Sequence, residues 1–235
     1  MSQAQEKFIQ LLGIKKIPND HELALFRRSQ KYIPFISWIP GIEMIAVVNS
    51  LSMYATHTDS DIDLFIITKP GYLWLVRILS TGILNLLGVR RANMDIAENF
   101  CLSFFITEKS MDLSKIAISD DIYLENWVRY LKPIFFRGDI YDRWISQNTW
   151  VEISEEQKIE NLRFTKSDRR RKIYFSVFWK LLDRICKSIF LPRTLKAYEK
   201  KGRPSGVVIT NDMLKFHDMD KRKEISDRVY GVRGG

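Results

Sequence analysis

Cysteine is scarce in this chain: Cys101 and Cys186 are the two in 235 residues, and each sits in an apolar run. That excludes a disulfide-stapled scaffold and reads as two buried thiols in a reducing compartment, the cytoplasm. Long uncharged apolar runs are also lacking. The two most apolar segments, 72–89 and 173–191, are broken by Arg77 and Asn85 in the first and by Lys180, Asp183, Arg184 and Lys187 in the second. A membrane-spanning helix needs about 20 residues nearly free of charge, so both segments read as helices buried on one side, and no membrane span is expected. The first residues, MSQAQEKFIQLLGIKK, hold no uninterrupted apolar core and no small-residue cleavage site, so they do not read as a secretory signal. The chain has no Gly-x4-Gly-Lys-Ser/Thr phosphate loop, no Gly-x-Ser-x-Gly nucleophile turn and no Cys/His pair at zinc spacing. Its three histidines, His21, His57 and His217, read as surface residues.

What is present describes a globular protein, 46% hydrophobic and 28% charged. The net charge of +9 is unevenly placed: residues 1–150 carry 16 Lys+Arg against 16 Asp+Glu, and residues 151–235 carry 21 against 12. The basic last third points to an anionic partner such as a triphosphate, RNA or a membrane surface, or to a solvated helical face. Within it, Arg169-Arg170-Arg171-Lys172 and the later Lys196, Lys200, Lys201 and Arg203 are interleaved with Tyr174, Phe175, Trp179 and Tyr198, a pattern that suits RNA or a helical core with its charges in water.

Apolar spacing predicts helices over 3–12 and 21–38, the second ended by Pro34 and Pro40. The short β-branched runs IEMIAVV (42–48) and IDLFIIT (62–68) predict strands, with a helical turn at 51–55 between them. A long apolar helix up to Leu87, stopped by Gly88, and a third strand FCLSFFIT (100–107) follow. From Asp120 the pattern reads as helical: 121–136, 141–150 and about 168–190. A small strand at 207–209 and a last helix capped by Asn211 complete the chain.

The informative stretch is Asn49-Ser50 followed by Asp61-Ile62-Asp63. Side chains alternate in a strand, so Asp61 and Asp63 share one face at the start of 62–68 while Ile62 and Leu64 turn to the core. Two carboxylates in one small volume repel each other, and a divalent cation relieves that penalty.

A strand, a serine-containing turn with a short helix, and Asp-x-Asp opening the next strand together resemble the DNA polymerase β-like nucleotidyltransferases, over roughly residues 40–107. The resemblance implies an α/β (α+β) fold with a small mixed sheet flanked by helices, a nucleotidyltransferase-like domain over 1–118, and a helical, basic C-terminal region over 119–235. It implies that Asp61 and Asp63 bind Mg²⁺ or Mn²⁺ and are catalytic. Asn49 and Ser50, with nearby backbone amides, would hold the nucleoside triphosphate, ATP being the expected one. A nucleoside monophosphate would pass to a hydroxyl of an RNA, protein or small-molecule acceptor, with pyrophosphate leaving.

The chain departs from the family pattern twice. Asn49 stands where the family has glycine, and asparagine tolerates left-handed backbone angles. No acid lies in FCLSFFIT, where the family places a third carboxylate. By alternation Cys101, Ser103 and Phe105 share a face, and Ser103 falls at the expected acidic position, with Asp95, Glu98, Glu108 and Asp112 as displaced candidates. The alternative reading is a non-catalytic nucleotide- or RNA-binding module that has lost this carboxylate. An interaction protein that uses the apolar helices as a homodimer surface is compatible with either.

Overall fold

A computed structural model describes residues 2–91, 97–168, 176–217 and 220–231. Two helices lead in, α1 (Gln3–Leu12) and α2 (Asp20–Ser37). Both start on a side-chain cap: the Ser2 hydroxyl accepts from the Gln5 N–H, and Asn19 and Glu22 cap each other's backbone reciprocally. Pro34 does not end α2. It forfeits one backbone bond, but burial of Ile33 and Ile36 against the core carries the helix to Ser37.

Strand β1 (Ile42–Val47) runs antiparallel to β2 (Ile62–Thr68), with the single-turn helix α3 (Asn49–Ser52) between them. Helix α4 (Leu73–Leu86) then crosses over to β3 (Phe100–Thr107), which lies parallel to β2. The second half holds α5 (Ile122–Tyr130), β4 (Lys132–Arg137), α6 (Ile140–Gln147), α7 (Glu155–Asn161), β5 (Lys166–Asp168), α8 (Ser176–Lys200), β6 (Val207–Ile209), β7 (Met213–Phe216) and α9 (Arg222–Tyr230).

Two expected helices give way to strands. The helix predicted over 121–136 stops at Tyr130, because Pro133 disfavours helical angles at Lys132, and the run Ile134-Phe135-Phe136 pairs with β1 instead. The helix predicted from Asn211 starts only at Arg222, since Met213–Phe216 is drawn into the sheet by pairing with β3.

The seven strands form one mixed sheet in the order β5-β4-β1-β2-β3-β7-β6. Residues 119–235, expected to be helical apart from the strand at 207–209, therefore supply four strands, two on each flank of the three from residues 1–118. Helices cover both faces of this α+β architecture. Ile62, Leu64 and Ile66 of β2 face a core shared with α2, α4 and α8; Phe65 and Ile67 face a second core shared with α1, α5, α6 and α9.

Candidate functional site

The site begins where β1 hands over to α3. The Val48 N–H bonds the Asp63 carbonyl at 3.1 Å, which sets the start of α3 beside the head of β2. Asn49 adopts a left-handed φ of 58°, a conformation that asparagine accepts more readily than most residues. Its amide donates to Asp63 Oδ2 at 2.7 Å, and the Tyr123 hydroxyl from α5 donates to Asn49 Oδ1 at 3.3 Å. Ser50 is half-buried in the first turn of α3 and, among the described residues, makes no side-chain hydrogen bond to either acid. Asn49 is the member of that pair that meets the acids.

Asp61 and Asp63 lie on the side of β2 that carries Phe65 and Ile67, as the alternation predicts. Cys101 stands opposite Asp63 in the β2–β3 register, and ligand atoms of Asp61, Asp63 and Cys101 all fall within 4.8 Å of one another. Arg91 Nη1 pairs with Asp61 Oδ2 at 2.6 Å and reaches Cys101 Sγ at 4.0 Å. Burial, and then the charge of Asp61, push the Asp63 carboxyl up to about 6, against the opposing pull of Asn49, Cys101 and Arg91. Burial and the two carboxylates push the Cys101 thiol well above its ordinary value, which keeps it neutral.

The position beside the acid pair thus belongs to Cys101 rather than Ser103. The β2–β3 register slips between the pairs Asp63–Cys101 and Phe65–Phe104, a bulge that places one extra residue on β3. Phe105 consequently faces the opposite core, away from Cys101. Ser103 Oγ lies 3.2 Å from His217 Nε2, so the histidine expected at the surface forms part of the site's wall.

Of the displaced acid candidates, Asp95 lies outside the described residues. Glu98 is exposed in a turn, Glu108 pairs with Arg143 at 2.7 Å, and Asp112 caps the turn at Ser114. Asp220, which sequence reasoning missed, does line the site, held low at about 2 chiefly by hydrogen bonding from Arg222.

Asn49, Asp63, Cys101, Ser103, His217 and Asp220 open on a cleft of about 1030 Å³ lined also from α4, α5, β7 and α9, with Asp61 beside it. Six cations face it, Arg77, Arg90, Arg91, Lys215, Lys221 and Arg222, against the acids Asp63 and Asp220. Arg222 is held by Asp121 at 2.8 Å and Asp220 at 2.7 Å, and Lys215 stands 3.8 Å from Asp220. Arg77 lies over the Phe216 ring at 3.8 Å, and its buried Nη1 has no hydrogen-bond partner among the described residues. Burial, reinforced by Arg90, brings its guanidinium down to about 10. A half-enclosed cleft with this excess of cations attracts polyanions.

Comparison with protein-family models, curated proteins and solved structures gave no match. No described helix is long and apolar enough to cross a membrane. Both cysteines are free. The basic run Arg169 to Lys172, with Tyr174 and Phe175, lies outside the described residues.

Proposed function

We propose that this chain is a metal-dependent nucleotidyltransferase of the polymerase β-like kind. It would transfer a nucleoside monophosphate, AMP being the expected one, from a nucleoside triphosphate to a hydroxyl of an RNA, protein or small-molecule acceptor. The observation that carries the reading is the convergence of Asp61 and Asp63 at the head of β2, beside a cleft lined mostly by cations. Two neighbouring carboxylates form an oxygen-rich ligand set that fits Mg²⁺ or Mn²⁺. Bound there, the cation would stabilise charge on the oxygens of an in-line displacement at the α-phosphate.

The chain's own side chains divide the remaining tasks. Asn49 orients Asp63, with Tyr123 fixing the amide in turn. Arg77 and Arg90, which have no carboxylate partner among the described residues, bind triphosphate oxygens across the cleft. With labelled nucleoside triphosphates and Mg²⁺ or Mn²⁺, the expected result is pyrophosphate release that disappears in Asp61→Ala.

One observation favours a second reading, a nucleotide- or RNA-binding module without turnover: the β3 residue beside the pair is a neutral thiol where a third acid is expected. Saturable nucleotide binding with no pyrophosphate release, in the intact protein with either metal, would select it.

A further inference from the structure

Helix α8 is apolar on two sides. Its inner side, with Trp179, Leu182, Cys186, Phe190 and Leu191, packs on the core formed with α2 and α4. Asp183, buried there, accepts the N–H groups of Trp74 and Leu75 at 2.8 and 2.9 Å and so fastens the helix to the first turn of α4. The outer side leaves large apolar side chains in solvent: Val177 is 82% exposed, Phe178 55%, Leu181 54%, Ile185 46% and Ile189 48%. At 3.6 residues per turn, positions 178, 181, 185 and 189 form one stripe about 80° wide.

Cations border this stripe on both sides. Lys180 and Arg184 are exposed along one edge; on the side of the other, Arg193 is exposed about one turn past Ile189 and Lys200 about three turns past it. The acids of α8 do not offset them, since Asp183 is buried and Glu199 pairs with Arg203 at 3.2 Å. An apolar stripe between two basic edges is the pattern of a helix that lies in the plane of a membrane surface, with rings and branched chains in the acyl boundary and long cationic stems reaching lipid phosphates.

We propose that α8 docks the protein flat on an anionic lipid surface through this outer face. The inference is independent of the nucleotidyltransferase reading. Charge decides between a lipid surface and a second copy of the chain. Two copies joined by this face would set their basic edges against each other in a molecule already carrying a net charge of +9. Anionic headgroups instead neutralise those edges, strengthening association about fivefold for each cation brought to the surface.

The test uses the whole protein with sedimented vesicles, either of phosphatidylcholine alone or of equal parts phosphatidylcholine and phosphatidylglycerol. Binding to the mixed vesicles should exceed binding to the neutral ones by at least about tenfold. Replacing Leu181, Ile185 and Ile189 together by Gln should weaken it by at least about tenfold, and Lys180→Gln with Arg184→Gln should weaken it about fivefold per charge. All five positions are exposed, so melting temperatures should match the parent; the charge variant carries the test if the apolar one melts early. Three results would overturn the proposal: no binding to either vesicle, binding that the loss of the exposed apolar and cationic groups leaves unchanged, or a dimer in sedimentation velocity that the Gln substitutions in the stripe dissolve.

Discussion

Asp61 and Asp63 are adjacent yet not equivalent. Asp61 meets a guanidinium, Arg91, whereas Asp63 is desolvated and leans on the neutral amide of Asn49. Asn49 is therefore the residue whose loss most directly frees Asp63, the metal ligand of the proposal above. Asn49→Ala should lower Mn²⁺ affinity by about tenfold or more in calorimetric titration, as loss of a partner that orients a metal ligand does. Unchanged affinity would remove Asn49 from the site. The two acids were legible because side chains alternate along a strand, and the left-handed turn because asparagine takes it. The place of Cys101 was not legible, because it depends on a bulge in β3 that the sequence does not mark. Nor was His217, which reaches Ser103 across 114 residues of chain.

At the scale of elements, β1, β2 and β3 were readable from β-branched runs of strand length, as was α4 from its length and the stop at Gly88. Strand β4 was not, because the aromatics of 134–136 continue the spacing of Trp127 and Leu131, and pairing with β1 overrides that pattern. The docking of α8 on α4 was likewise invisible, since it rests on Asp183 capping a helix start 109 residues earlier in the chain. Burial pushes this carboxyl upward while the two amides pull it back, so the charged form depends on its bonds. Asp183→Ala leaves both N–H groups buried without a partner. Urea denaturation should show a loss of about 2–3 kcal/mol; a loss below about 0.5 kcal/mol would mean that other groups or water satisfy the helix start.

At the scale of the molecule, the second half of the chain is wrapped around both flanks of the first, and Lys132 marks the junction. It is buried in β4 under Tyr54, 3.9 Å from Glu160 of α7, whose carboxylate also accepts from the Tyr54 hydroxyl. Burial brings its ammonium down to about 8, below the 10.5 of the free side chain, although Glu160 opposes the shift. The folded chain then binds fewer protons than the unfolded one between those values, so this residue's burden on stability is full below about pH 8 and fades as pH rises toward 10.5. Because Glu160 keeps Arg163 and the Tyr54 hydroxyl as partners, Lys132→Met should raise stability by about 1–3 kcal/mol near neutrality, and urea denaturation should show the gain shrinking as pH climbs through that window. The same wrapping has a consequence for biosynthesis. Lys215, His217 and Arg222, which line the cleft with Asp63, come from β7, the residue after it and α9, all made long after the acids. A nascent chain that has emerged only as far as β3 lacks both elements, so the groove closes only once β7 and α9 have been made.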